Sequence, residues 1–399
     1  MLQPWSWLYL VCFLDLFGAS LIVPVFSTHL RSLGISHMDI GLLSSVYGFA
    51  QLISGPVIGS WSDIYGRRIV MFLTIIVCCV SYGLMGIVSS FHMFLIVRCV
   101  LGLFKHTQTL CRACIADIVP PETQVTVHGL VNAFTSFSFM FGPVISGFLM
   151  ETDKGFQSLS SVVFLIFLLN ASAVFVFADN KSKTDINVSD RLEGRIFLVF
   201  KELFIIDWKK FWALFSIKFI LALASDLFFK NMGIILMELY GITPVYMGYT
   251  ISFYGFVSVV SNLCVGQIKK LLLSQRTYLT SLACVLGTVA ISFVWLYIAS
   301  NYTQFVVGMV PLAFSHSLAR VLLTEMVLER SDDSCRGSVI GAASSVASVA
   351  RTVAPLLSGL ILSLLNLSSV LIASSLIALS GSLFAVIYSQ QRQTHHKST

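Results

Sequence analysis

The chain has 399 residues, of which 56% are hydrophobic and 11% charged, where an ordinary soluble domain is roughly 25% charged. That balance does not fit a soluble protein and points to an all-α membrane protein that crosses the bilayer many times. The net charge of +6 is spread over many short loops and forms no single patch, so nucleic acid is not expected as a partner and the charge is read as membrane orientation.

A bilayer core needs about 20 apolar residues per helix. Qualifying segments lie at 5–27, 39–61, 69–89, 91–118, 125–150, 157–178, 211–237, 244–268, 278–298, 304–328, 337–364 and 368–388; they are spans 1 to 12 below. They predict an N-terminal six-helix bundle over 1–178, a cytoplasmic linker over 179–210, a C-terminal six-helix bundle over 211–388 and a cytoplasmic tail over 389–399. The first segment lacks a basic leader and a small-residue cleavage site, so it is expected to be a spanning helix and not a signal peptide.

Span 1 carries Asp15 about midway, within FLDLFGASLIVPV. Span 2 runs into GSWSDIYGRR at 59–68. There Gly59 is expected to permit close helix contact and Gly66 a tight turn, while Asp63, Arg67 and Arg68 place opposite charges in a short loop; a plain turn with orienting arginines fits as well. Span 4 carries Arg98, Lys105 and Arg112 at intervals of seven, with Gln108 beside them and Asp117 at its exit, IADIVPPE. On one continuous helix a step of seven advances about 10.5 Å and falls only about 20° short of two turns, which makes the three cations one stripe. A cation at mid-bilayer costs at least about 2.5 kcal/mol, so the stripe is expected to face a wet cavity; the alternative is that Arg98 and Arg112 snorkel to opposite interfaces and only Lys105 is buried. Span 5 contains GPVISG at 142–147, with the Gly142-Pro143 step and Gly147.

The segment after span 6 has mixed charges and reads as a mobile linker, with room for a short amphipathic helix near 195–206. Span 7 carries Lys218, Asp226 and Lys230, span 10 His316, Arg320 and Glu325, and span 11 Arg351; span 9 has no acidic residue. Basic loops follow spans 2, 6, 8, 10 and 12, and the alternate loops carry almost no Lys or Arg. Both termini are therefore expected in the cytoplasm. Asn301 and Asn366 begin glycosylation sequons in short opposite loops. Cysteines are nine and mostly lie inside apolar spans; the Cys111 and Cys114 pair, without a second pair, is a weak metal signal, and no metal or cofactor is expected.

An internal repeat divides the chain. GLLSSVYGFAQLISGPVIG at 41–59 aligns without gaps with GYTISFYGFVSVVSNLCVG at 248–266, and GPVISG at 142–147 with APLLSG at 354–359. Spans 2 and 8, and spans 5 and 11, thus correspond six helices apart, as in transporters built from two parallel halves.

GSWSDIYGRR closely resembles the signature loop of the major facilitator superfamily. FLDLFGASLIVPV, Arg98 with Gly102, IADIVPPE with Asp117, and GPVISG resemble the corresponding motifs of its drug:proton antiporter branch, to which the tetracycline exporters belong. The resemblance covers nearly the whole chain. It implies the twelve-helix major facilitator fold and a secondary transporter that rocks two six-helix halves. It also implies that Gly59, Asp63, Gly66, Arg67, Arg68, Asp117, Gly142, Pro143 and Gly147 serve conformational gating, with Arg67 pairing with Asp117 in one state. Ile64 and Ser146 depart from the pattern and the second-half copy of the loop is reduced to GQIKK at 266–270; with no acid in span 9, tetracycline itself is not the expected cargo.

Arg98, Lys105, Gln108, Arg112, Arg320 and Arg351 are expected to line a solute cavity, and Asp15 and Asp226 to carry coupling protons. The positive excess predicts an anionic or amphiphilic organic solute, moved by a monomer in exchange for protons. An uncoupled facilitator and a non-transporting receptor or scaffold are the alternatives. No nucleotide loop or nucleophile constellation points to an enzyme.

Overall fold

The computed structural model describes residues 5–177, 208–273, 278–331 and 336–398. Every regular element among them is an α-helix, and 12 helical segments are long and apolar enough to cross a membrane. The spans are Trp7–Ser32, His37–Tyr65, Arg67–Met85, Phe91–Ile118, Pro121–Met150, Gly155–Phe177, Trp208–Tyr240, Pro244–Leu273, Tyr278–Ile298, Tyr302–Arg330, Arg336–Leu364 and Ser369–Ser398. Polar caps start several of them: the Ser36, Ser90 and Asn301 side chains accept the backbone N–H groups of Asp39, Met93 and Gln304. Gly66, at φ 92°, is the one-residue turn between spans 2 and 3, a conformation that costs glycine nothing.

Three expectations about elements are corrected. Span 4 is not one continuous helix but two, Phe91–Phe104 and Thr107–Ile118, separated at Lys105 and His106. Span 7 begins at Trp208 and takes in the last residues assigned to the linker; the short helix expected near 195–206 lies outside the described residues. Span 12 continues to Ser398 and absorbs the tail, because SQQRQTHHKS contains neither Gly nor Pro to stop a helix.

The chain forms two compact units. The first holds spans 1 to 6 and also Ile242–Ser252, the start of span 8. That start joins the first unit because glycine opens both surfaces: a Cβ on Gly147 would stand 2.6 Å from the Pro244 carbonyl oxygen, and one on Gly248 would collide with that of Pro143. The same logic seats span 1 on span 5, where a Cβ on Gly142 would collide with the Ser20 hydroxyl. Ser20 Oγ donates to the Ser138 carbonyl at 2.8 Å, and Ser138 Oγ to the Phe13 carbonyl at 3.2 Å. The second unit holds span 7, span 8 from Phe253, and spans 9 to 12. Its core is built from Leu214, Phe215, Leu282, Leu286, Leu322 and Ala342, among others.

Within the units the same packing recurs. Span 1 packs on spans 5 and 6, and span 3 on spans 4 and 6; in the second unit span 7 packs on spans 11 and 12, and span 9 on spans 10 and 12. Where Ser20 and Ser138 tie spans 1 and 5, Asn231 Nδ2 donates to Ser358 Oγ at 2.6 Å between spans 7 and 11.

Candidate functional site

The interior of the first unit is organised around Asp15 and Lys105. Both are buried, at 1% and 8% exposure, and Lys105 Nζ lies 2.5 Å from Asp15 Oδ1. Gln108 Nε2 donates to Asp15 Oδ2 at 3.3 Å and to the Cys12 carbonyl at 3.1 Å. The Phe167 ring covers the ammonium, 4.8 Å from its centroid. An ion pair in low dielectric needs such additional hydrogen bonds to offset the loss of water.

Lys105 reaches Asp15 because span 4 breaks at that residue. Lys105 leaves helical geometry at ψ 70° and His106 at φ −123°. Span 2 holds the break with two polar residues at i and i+3. Gln51 Nε2 donates to the freed Lys105 carbonyl at 2.8 Å, and Ser54 Oγ lies 2.7 Å from His106 Nε2. Gly102 lets the two spans approach, since a Cβ there would stand 2.5 Å from the Tyr47 carbonyl oxygen.

The break corrects the expected cationic stripe. Lys105 is neutralised by Asp15. Arg98 packs against aromatic rings, with Cζ 3.8 Å from the Phe26 centroid and 5.2 Å from that of Tyr47; Arg112 is exposed. Seven-residue spacing makes a stripe only on an unbroken helix. The close helix contact expected at Gly59 is absent among the described residues, where a Cβ on it would meet no atom within 4 Å.

At the end of span 2, Arg67 joins three elements. Its guanidinium contacts Asp63 Oδ1 at 2.5 Å, Asp117 Oδ2 at 2.9 Å and Ser62 Oγ at 2.5 Å. Arg68 donates to the Phe175 carbonyl at the last turn of span 6 and lies over that residue's ring, where a cation meets the negative helix end.

In the second unit, Lys218 lies within electrostatic reach of Arg320 and Arg351, and Asp226 of Lys230 and Arg351. Arg320 and Arg351 are exposed, whereas Lys218, Asp226 and Lys230 are partly buried. Arg351 Nη2 donates to Ser348 Oγ at 2.9 Å. Phe229, Tyr254 and His316 form an aromatic group beside this cluster, with Phe229 4.9 Å from Tyr254 and 6.0 Å from His316. The arrangement combines net positive charge with ring faces.

Residues 8–323 and 214–399 match the profile of the Major Facilitator Superfamily. The chain belongs to that superfamily. Over 189 residues, 46% of this chain and 45% of the relative, it is 29% identical to the tetracycline resistance protein, class E, of Escherichia coli. Over 340 residues, 83% of the chain and 82% of the relative, it is 25% identical to solute carrier family 22 member 18 of Mus musculus. Among solved structures, the human organic anion transporter MFSD10 (TETRAN) superposes with TM-score 0.68 at 17% identity, covering 96% of this chain and 100% of that one. A bacterial homolog of the human lysosomal transporter Spinster superposes with TM-score 0.78 at 12% identity, covering 98% of each chain. At these identities the structures bear on the fold alone.

As a major facilitator, the chain is a multi-pass membrane transporter and not an enzyme. Gln51 and Ser54, which hold the break in span 4, escaped the sequence reading. Gln51 and Ser54 did leave a signal, two hydrogen-bonding residues one turn apart in an apolar span. Nothing in the sequence set them apart from ordinary polar packing until span 4 was seen to break opposite them.

Proposed function

We propose that this major facilitator moves a small organic solute, anionic or amphiphilic, by alternating access and in exchange for protons. It works as a monomer with both termini in the cytoplasm. The observation that carries the reading is the buried pairing of Asp15 with Lys105 at the break in span 4. Proton coupling needs a titratable group whose charged form gains or loses its partner as access alternates, and Asp15 meets that description by position. Asp226, beside Lys230 and Arg351, is the second such carboxylate. Arg112, Arg320 and Arg351 are exposed and Lys218 is partly buried near two of them, so the polar groups available to a solute are mainly cationic. The resistance proteins and solute carriers among the relatives fit a small-molecule cargo. Gly59, Asp63, Gly66, Arg67, Arg68, Asp117, Gly142, Pro143 and Gly147 serve the conformational cycle.

The test is uptake of labelled organic anions and cations by purified protein in proteoliposomes, with and without an imposed pH difference. Anion flux that rises when protons are available to move the opposite way supports the reading. Cation flux with no anion flux overturns the solute class. Flux indifferent to the pH difference identifies an uncoupled facilitator, and no flux at all a receptor or scaffold. Asp15→Asn is expected to abolish the pH dependence of transport; a variant with the full dependence excludes Asp15 as the coupling group.

A further inference from the structure

The helix Thr107–Ile118 starts inside the bundle, not at a membrane surface. Its first backbone hydrogen bond runs from the Leu110 N–H to the His106 carbonyl at 3.0 Å. The N–H groups of Thr107, Gln108 and Thr109, in the first turn, have no acceptor within their own helix, and His106 provides no side-chain cap. Buried N–H groups without partners are rare and costly. A second orphan stands with them: Thr107 is 1% exposed and its hydroxyl has no hydrogen-bond partner.

The opposite side of the break is the reverse case. Carbonyl oxygens that would repel an anion are already occupied, Lys105 by Gln51 and Phe104 by the His106 N–H. The break therefore presents the N–H groups of a helix start beside two carbonyls that are already bonded, next to the Lys105 ammonium paired with Asp15. A helix start carries roughly half a positive charge and binds oxyanions through just such N–H groups, and interrupted helices serve this purpose within membranes.

We propose that the break in span 4 is an anion-binding notch in which the N–H groups of Thr107, Gln108 and Thr109, with the Thr107 hydroxyl, receive the carboxylate of the solute. Lys105, held on Asp15, adds a neutral pair at its rim and not a free charge, so the notch suits a singly charged head group better than a dianion. Thr109 is exposed and Gln108 partly buried, which leaves the body of the solute a way out of the notch. The inference rests on the transport reading above for the source of its ligand.

Labelled benzoate is the probe. Thr107→Val keeps the shape of the side chain and removes the hydroxyl. In proteoliposomes it is expected to raise the KM for benzoate about tenfold, as loss of one hydrogen bond to a charged group does, with kcat retained; Thr107→Ser is expected to stay near the wild type. In detergent, benzoate is expected to raise the thermal midpoint of the wild type and to do so far less for Thr107→Val, a readout independent of transport. Benzoate uptake by the wild type with an unchanged KM in Thr107→Val overturns the notch and leaves the proposed function standing. A wild type that carries cations and neither carries nor is stabilised by benzoate overturns both.

Discussion

Asp15 and Lys105 show how a residue can be conspicuous in a sequence while its role is not. Charges in apolar spans stand out because each costs several kcal/mol unless solvated or paired. Sequence could not say which remedy applies. The structure chooses pairing, so Lys105 is a partner and not an open binding cation. Removing one member of a buried pair strands the other charge and costs about 3 to 5 kcal/mol, whereas replacing both is often nearly neutral. Lys105→Met is thus expected to lower the thermal unfolding midpoint markedly, and the double variant Asp15→Asn with Lys105→Met to recover most of the loss. Equal midpoints for Lys105→Met and the wild type would show that the pair does not stabilise the unit. Asn301 illustrates the reverse: a sequon by sequence, it is a helix cap in the structure, accepting from the Gln304 N–H at 2.9 Å.

At the scale of the element, the break in span 4 decides the site. Its sequence, GLFKHTQ, has no proline and gives no local stop signal, so periodicity alone extends one helix from 91 to 118. The interruption is held from outside by Gln51 and Ser54 on span 2. Gln51→Leu leaves the Lys105 carbonyl without its donor, which costs about 1 to 3 kcal/mol in a buried setting. The expected outcome is a lower unfolding midpoint together with impaired anion uptake; a variant with normal stability and kinetics would show that the break is set by span 4 itself. The turn between spans 2 and 3, by contrast, was legible, because Gly66 supplies the positive φ that a one-residue turn demands.

For the whole molecule, the repeat in the sequence reappears as a repeat in packing within each unit, spans 1, 3, 5 and 6 matching spans 7, 9, 11 and 12. Arg67 ties the ends of spans 2, 3 and 4 together in the first unit, whereas the second copy of the loop is reduced to GQIKK in sequence. Its carboxylate partners are 31% and 50% exposed, and exposed pairs contribute only about 0.2 to 1 kcal/mol. Arg67→Ala is expected to leave the unfolding midpoint nearly unchanged while slowing transport; a large loss of stability with normal turnover per folded molecule would assign the residue to folding.

The sequence by itself determined the membrane class, the number of spans, the two-part repeat and the superfamily. Those follow from solvent and chain length: apolar stretches of bilayer width must become helices, and stretches that repeat the same glycine, serine and aromatic positions fold alike. Only the tertiary structure decided which ions are paired, where span 4 is interrupted, and that the start of span 8 joins the first unit. Those outcomes depend on donors, acceptors and glycine surfaces from distant segments meeting at hydrogen-bond or van der Waals distance, and no local pattern encodes such a meeting.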